Sequence, residues 1–189
     1  MDANERRLLP DQLTASQSRL LAVVADLTPQ QWHFHEDPDR WSIAENIEHL
    51  IHFESFIIQA ISNSLPRPAE PEKQSQAASR QLRVLSLGTV ESRRTQLKAR
   101  EAVRPTGKWR DPKDLIEEFR RARAHTVAFA SETDSDLQNH FFPHIAFGDL
   151  DGCQWLQVLS CHTDRHVLQI QQVQAHAAYP KGNPDPETP

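Results

Sequence analysis

The sequence predicts an all-α fold, and within it a four-helix bundle with one long crossover between the second and third helices. Three observations support this fold class. Apolar residues recur at helical spacing in four long segments, no segment has the alternating pattern of a half-buried strand, and the 189 residues include only five glycines. A chain of this length is most simply one domain, here residues 1–189, with an ordered core from about residue 10 to residue 178.

The ends of the four predicted helices follow from residues that begin or stop helices. The first helix carries its leucines on one face and should end at Thr28-Pro29. Each of the other three begins at a residue whose side chain can accept a hydrogen bond from the first turn. These beginnings are Ser42 with Glu45, Asp111 with Pro112, and Asp151 with Gln154. The predicted ranges are about 11–27, 42–64, 111–133 and 151–178.

The connection from residue 65 to residue 110 is the least regular part of the chain. Its first half has the composition of a linker, and its second half could hold a short helix, although Gly88 and the β-branched residues weigh against one. Neighbouring bundle helices are usually joined by 2–8 residues, whereas this connection has about 45. We therefore expect it to cross the end of the bundle, so that helices two and three run parallel. The tail from Pro180 is proline-rich and polar and should be disordered.

Composition and charge argue against some classes of function. A net charge of −5 disfavours a general nucleic-acid binder. The N-terminus has no apolar run of signal-peptide length, and no segment approaches the length of a membrane span, so we expect a cytoplasmic protein. Cys153 and Cys161 would lie about 12 Å apart along one helix, beyond the reach of a disulfide, so both should be reduced.

The fourth predicted helix carries the strongest functional signal. His162 and His166 stand one turn apart on the same face as Trp155 and Ile170, so both imidazoles should point inward, about 6 Å apart along the axis. Buried imidazoles need partners for their ring nitrogens. A shared divalent metal would satisfy both rings, and so would separate hydrogen bonds within the core. The spacing alone leaves both explanations open.

A metal site in a helical bundle takes its ligands from facing helices. The second predicted helix offers His49 and His52. His49 shares a narrow apolar face with Phe53 and Phe56, whereas His52 points away from the main apolar stripe, so the periodicity modestly favours His49. The remaining histidines show no comparable pattern: His33, His35, His125, His140, His144 and His176.

Two blocks of the sequence resemble the DinB-like family. Residues 41–50, WSIAENIEHL, are similar to the signature W-S-x-x-E-x-x-x-H-L. Residues 144–170 are similar to the family's second block, in which an H-P-x-x-G-x-L turn leads into H-x-x-x-H-x-x-Q-I. Both blocks occur in the family's order, so the resemblance spans roughly residues 10–178. Ile145 stands where many relatives have proline, a departure that concerns the turn and not the histidines.

The resemblance implies a four-helix bundle with a three-histidine site for a divalent metal. His49 matches the ligand on the second helix, and His162 and His166 match the pair on the fourth. Three imidazoles would leave an open coordination position, and both zinc and nickel suit them. Gln169 and Glu45 are candidates for orienting these ligands, with a surface or capping role as the equal alternative for both.

The implied chemistry leaves two classes of function. Similar family members are metal-dependent transferases, isomerases or hydrolases, some using bacillithiol or mycothiol. The ion would then activate a low-molecular-weight thiol or water against a small-molecule electrophile. The alternative is a non-catalytic, stress-related binding or scaffold protein whose metal is structural or absent. In both cases we expect no nucleic-acid or membrane partner, and the first or third helix could provide a homodimer face.

One stretch is strongly basic within an acidic chain. Between Arg80 and Arg110, nine lysines or arginines stand against two acidic residues. This charge could attract an anionic thiol cofactor or substrate to the end of the bundle. A solvated basic surface is the plainer explanation, and nucleic-acid binding is disfavoured because aromatic residues are not interleaved with the charges.

Overall fold

The computed structural model describes residues 6–89 and 98–181, and this part of the chain is mainly helical. The helices are α1 (Leu9–Val23), α2 (Pro29–Trp32), α3 (Ile43–Ser64), α4 (Gln74–Ser86), α5 (Pro112–Glu132) and α6 (Gly152–Gln174). Short 3-10 turns lie at Pro71–Lys73 and Glu101–Val103, and a hairpin is formed by β1 (Phe141–His144) and β2 (Gly148–Asp151). The long helices α1, α3, α5 and α6 correspond to the four predicted ones.

Two parts of the sequence-based prediction lie outside the described residues. These are residues 90–97 of the predicted crossover and the tail from residue 182 onward. Among the helices within 6–89 and 98–181, none combines the length and the apolar character needed to cross a membrane.

The predicted helix beginnings are confirmed by their hydrogen bonds. The Ser42 hydroxyl accepts from the backbone N–H of Glu45 at 3.3 Å, and the Glu45 carboxylate accepts from the backbone N–H of Ser42 at 2.7 Å. Asp151 and Gln154 form the same reciprocal pair at the start of α6. The side chain of Asp111 accepts from the first turn of α5. These caps satisfy helix donors that would otherwise lack partners. They determine where α3 and α6 begin, the two helices that carry His49, His162 and His166.

The predicted end of the first helix is wrong. Helix α1 stops at Val23 rather than Leu27, because Asp26 adopts a left-handed φ of 57°, which a right-handed helix cannot continue. Thr28 then caps the separate helix α2, which places Trp32 in the core. The fourth predicted helix also ends earlier than expected.

The expectation that the chain has no strands is wrong in one place. Strands β1 and β2 pair antiparallel, with Phe141 opposite Asp151. Each strand has four residues, too few for an alternating pattern to be recognised, and Gly148 supplies a φ of 77° beside the turn. The ring of Phe142 stacks on Trp155 with centroids 4.3 Å apart. The hairpin is therefore anchored to the first turn of α6.

The connection between α3 and α5 contains a helix that begins earlier than predicted. Helix α4 starts at Gln74, inside the half that has the composition of a linker. It buries only Ala77 and Val84, and its first half is made mostly of glutamine, serine and alanine, which explains the linker-like composition. Gly88 follows the helix, and a Cβ there would lie 3.1 Å from the carbonyl oxygen of Cys161. A glycine at this point lets the chain approach α6 closely.

Two clusters of buried apolar side chains show the directions of the long helices. The first halves of α3 and α5 share one cluster, which includes Ile47 and Phe119. Their second halves share the other, which includes Ile61 and Ala130. Helices α1 and α6 contribute to the two clusters in the opposite order. Helices α3 and α5 therefore run parallel, as the long connection predicted.

A buried polar network joins all four long helices. Arg123 of α5 is fully buried and forms an ion pair with Glu54 of α3. It also donates to the hydroxyls of Ser16 on α1, at 2.8 Å, and Thr163 on α6, at 2.7 Å. The Thr126 hydroxyl donates to the second carboxylate oxygen of Glu54. An unpaired buried charge would be costly, and these contacts satisfy both ions. The apolar periodicity of the sequence does not mark Arg123 as buried, since arginine is rarely fully buried unless it is paired.

Candidate metal centre

The structure brings together the three histidines that match the family blocks. His49 comes from α3, and His162 and His166 come from α6. One nitrogen from each ring lies within 4.8 Å of the other two, and the Nε2 atoms of His49 and His162 are 3.5 Å apart. Two nitrogen ligands of a tetrahedral zinc, each about 2.0–2.1 Å from the ion, are separated by roughly 3.3 Å. The spacing and the donor chemistry therefore fit a shared divalent metal ion.

A backbone carbonyl determines the tautomer of His49. Its Nδ1 atom lies 2.6 Å from the carbonyl oxygen of Val103. A carbonyl oxygen can only accept, so Nδ1 carries the proton and Nε2 keeps its lone pair. Burial lowers the pKa of His49 to about 4, so the ring is neutral at pH 7. A neutral imidazole with an unprotonated Nε2 is the form that a metal binds.

The side chain of Asn46 determines the tautomer of His166. The amide nitrogen of Asn46 donates to the carbonyl oxygen of Ser42 at 2.8 Å, which turns its Oδ1 toward α6. This oxygen lies 2.7 Å from Nδ1 of His166, so that nitrogen is the donor. The lone pair of the His166 ring is therefore on Nε2 as well.

His162 is held mainly by packing. Its ring centroid lies 4.2 Å from that of Phe53 and 4.6 Å from that of His166. Its Nδ1 atom is buried and has no hydrogen-bond partner among the described residues. Burial, with a smaller contribution from the neighbouring His49, lowers its pKa well below 6.5. His49 and His162 thus lack charge at neutral pH, which removes a repulsion that would otherwise oppose a cation.

The three rings form part of the wall of a cleft of about 650 Å³. Trp41 lies nearly parallel to the His166 ring at 6.3 Å, and Phe53 and Phe56 extend the apolar wall. Basic residues outnumber acidic ones among the described residues of the lining. The basic ones are Arg40, Lys98, Arg100, Arg104 and Arg165, and the acidic ones are Asp39 and Glu45. This combination suits a small anionic ligand with an apolar portion.

The other candidate residues occupy different positions around the cleft. Gln169 and Glu45 both border it, and the Glu45 carboxylate forms the helix cap that was the alternative role for this residue. His52 lies outside the cleft, with Nε2 3.4 Å from the carboxylate of Glu48 and its ring against Trp109. The exposed histidines outside the lining are His33, His35, His125 and His176.

His144 both makes a loop hydrogen bond and borders the cleft. Its Nδ1 atom accepts from the backbone N–H of Ala146 at 3.0 Å, and its ring stacks on Phe147. Burial, together with the nearby charges of Arg100 and Arg83, lowers its pKa to about 4. His144 is therefore a neutral imidazole whose Nε2 carries the proton.

Sequence reasoning missed the two groups that orient the ligands. Asn46 offered a signal, because it lies one turn before His49 on α3 and is a polar residue in a buried helix. The carbonyl of Val103 offered none, since it is a backbone group 54 residues away from His49 in the chain. Only folding of the connection between α3 and α5 brings it to the imidazole.

The fold and the site define a class: a mainly helical protein with three histidines placed to hold a divalent metal. The chain belongs to the DinB superfamily, whose sequence model matches residues 12–170. The family assignment made from the two sequence blocks is thereby confirmed. No curated protein compared with the chain matches it.

Proposed function

We propose that this protein is a metal-dependent enzyme in which His49, His162 and His166 hold a divalent ion, zinc or nickel. The observation that carries the proposal is the pair of Nδ1–H donors on His49 and His166. Because each Nδ1 donates to a protein oxygen, both Nε2 atoms keep a lone pair. These lone pairs lie in the same region of the cleft and are available to a metal ion. Nitrogen acceptors that face one another need a cation or a shared proton between them.

We also infer that α1, α3, α5 and α6 form a four-helix bundle whose crossover is the connection from residue 65 to residue 110. The parallel course of α3 and α5 supports this arrangement. So does Arg123, whose contacts reach each of the other three long helices. The proposed ligands then come from two facing helices of the bundle, the usual source of ligands in such folds.

A bound divalent ion would supply a Lewis acid that lowers the pKa of a coordinated thiol or water. The described residues would provide the surroundings of the reaction. Trp41 and Phe53 would exclude bulk water beside the histidines, and Arg100 and Arg104 would attract the negative charge of a low-molecular-weight thiol or its partner. A cleft of about 650 Å³ suits a small-molecule substrate.

The nucleophile of the proposed reaction would come from outside the chain. Burial raises the pKa of both Cys153 and Cys161 to about 12, so neither thiol is ionised at neutral pH. Neither cysteine lines the cleft. A small thiol or water activated at the three histidines is the nucleophile that these facts support.

A second function is favoured by the same short distance between two rings. Without a metal, the Nε2–H of His162 can donate to Nε2 of His49 across 3.5 Å. The histidines would then form part of the core of a non-catalytic, stress-related binding or scaffold protein. In this arrangement Nδ1 of His162 is a buried acceptor without a donor among the described residues. A ring bound to a metal through Nε2 would instead carry an Nδ1–H without an acceptor, so this atom does not distinguish the two functions.

Metal content of the tag-free protein, measured by plasma mass spectrometry, tests the proposed ligands. The comparison includes His49→Ala, His162→Ala and His166→Ala, with His52→Ala as the matched control on α3. We expect about one zinc or nickel per chain in the wild type and the control, and none in the other three folded variants. Equal loss in His52→Ala and His49→Ala would refute the choice of ligand. A wild type that stays metal-free after reconstitution would favour the second function.

Activity separates an enzyme from a binding protein. The metal-loaded wild type is assayed for conjugation of a low-molecular-weight thiol to small electrophiles and for hydrolysis, with His162→Ala as the control. Turnover by the wild type alone would support the proposed enzyme. Stoichiometric metal without turnover on either substrate class would support the binding or scaffold function.

A further inference from the structure

Glu48 is a buried carboxylate that binds a loop, and its Oε1 atom also lies 3.4 Å from Nε2 of His52. The residue is 3% exposed and belongs to α3. Its Oε1 atom accepts from the backbone N–H of Thr106 at 2.9 Å, from the Thr106 hydroxyl at 2.8 Å and from the backbone N–H of Lys108 at 3.2 Å. Its Oε2 atom accepts from the backbone N–H of Gly107 at 2.9 Å. These four donors all come from residues 106–108, so the loop provides hydrogen-bond partners for both oxygens of the buried carboxylate.

The loop bound by Glu48 also carries the acceptor of His49. The carbonyl oxygen of Val103, just before this turn, lies 2.6 Å from Nδ1 of His49. Gly107 has a φ of 74°, a conformation that glycine adopts without strain and that lets successive N–H groups face one carboxylate. Glu48 and His49 are neighbours on α3, so the helix holds this loop at two adjacent residues. Release of the loop from the carboxylate would draw the Val103 carbonyl away from the imidazole.

We propose that Glu48 is a positioning residue for the metal centre: it fixes the loop on α3, which keeps the Val103 carbonyl on Nδ1 of His49 and leaves Nε2 as the ligand atom. This inference rests on the proposed function, because it concerns the affinity of the same site. An acceptor on the far nitrogen orients a ligand histidine and raises its basicity, and loss of such a partner typically weakens metal binding about 10–100-fold. Glu48 occupies an unspecified position of the W-S-x-x-E-x-x-x-H-L signature, so the motif does not assign it this role.

The test is Glu48→Gln, which replaces one acceptor oxygen with an NH₂ group that cannot accept from the loop. Glu118→Gln is the matched control, the same chemical change on α5, where the carboxylate binds Arg121. Zinc affinity is measured by competition with a chromophoric chelator. The tautomer of His49 is measured in the metal-free protein by ¹⁵N NMR of the imidazole. The second measurement responds to the position of the loop and does not require a metal.

We expect zinc to bind Glu48→Gln about 10–100-fold more weakly and His49 to change from a single Nδ1–H form to a mixture of tautomers. Glu118→Gln should match the wild type in both measurements. A folded Glu48→Gln with wild-type affinity and an unchanged tautomer would overturn the proposal. So would a lower melting temperature with the tautomer unchanged, because that result defines a purely structural role.

A milder variant keeps the test decisive if Glu48→Gln does not fold. Thr106→Val removes only the hydroxyl that donates to Glu48, and it should weaken zinc binding roughly 3–10-fold, the range of one lost hydrogen bond. Wild-type affinity and tautomer in this variant would count against Glu48. Absence of zinc binding from the wild type itself would refute the proposed function, while the tautomer comparison would still decide the role of Glu48.

Discussion

Asn46 of α3 and His166 of α6 are joined by a hydrogen bond of 2.7 Å between Oδ1 and Nδ1. The amide cannot turn around, because its nitrogen donates to the carbonyl oxygens of Ser42 and Trp41. The helix that supplies one proposed ligand therefore orients a ligand on the facing helix. The side chain of Asn46 thus connects the backbone of Ser42, where α3 begins, to the proposed metal centre.

Replacing Asn46 with leucine should weaken zinc binding about 10–100-fold, because His166 loses the acceptor that keeps its proton on Nδ1. Asn63→Leu is the matched control, the same change at an exposed position of the same helix. Chelator competition measures both affinities. If the two leucine variants lose affinity equally, the hydrogen bond to His166 is not the cause.

Removal of the metal should leave the helical fold intact. The two apolar clusters contain none of the proposed ligands, and the Arg123 network is also independent of them. Far-ultraviolet circular dichroism should therefore be unchanged by a chelator. Zinc at about 100 times its dissociation constant should add roughly 2.7 kcal/mol to the free energy of unfolding, seen as a higher melting temperature. The His162→Ala variant should show no such shift, and helix loss on chelation would instead identify a structural metal.

Arg123→Met should lower the free energy of unfolding by about 3–5 kcal/mol, because it leaves the Glu54 carboxylate buried without its cation. Arg121→Met is the matched control two residues away, where the side chain is 76% exposed and pairs with Glu118. Urea unfolding should show little change in this control, since exposed ion pairs contribute little.

A double variant separates the ion pair from the rest of the network. Combining Arg123→Met with Glu54→Leu removes both buried charges, so it should recover part of the stability lost in Arg123→Met alone. Urea unfolding of the two single variants and the double variant tests this. If the double variant loses as much free energy of unfolding as the two single variants together, the ion pair is not the main source of the stability lost in Arg123→Met.

Stability near neutral pH should be limited by Asp151. Burial raises its pKa from 3.8 to about 6, so the folded state binds more protons than the unfolded state between these two values. The contribution of this group to stability is complete below pH 3.8 and is lost as the pH rises through 6. Since one pKa unit corresponds to about 1.4 kcal/mol, the loss is about 3 kcal/mol.

The variant Asp151→Asn isolates this contribution, because asparagine caps a helix as well as aspartate does but does not ionise. Urea unfolding of both proteins is measured at pH 4 and pH 7. The free energy of unfolding of the variant, relative to that of the wild type, should be higher at pH 7 than at pH 4. A stability difference that is the same at both pH values would be evidence against the raised pKa of Asp151.

Local chemistry explains which parts of the fold were predictable. The capping pairs Ser42–Glu45 and Asp151–Gln154 involve residues three apart, so their geometry follows from the helix itself. The end of α1 was missed because it depends on one left-handed residue, Asp26, and on Thr28 beginning a new helix. Helix α4 was missed in part because most of its surface is polar, and Val84 is one of the few residues it buries.

The sequence by itself determined the family, the helical character and the two histidines of α6, since residues four apart on one helix must share a face. It also marked His49, through the resemblance and a modest periodicity. Tertiary structure alone decided that His49 meets the other two rings and that Asn46 and the Val103 carbonyl hold the Nδ1 protons. The reason is that these contacts join residues far apart in the chain, and one of them uses a backbone carbonyl, a group that every residue carries and no sequence pattern distinguishes.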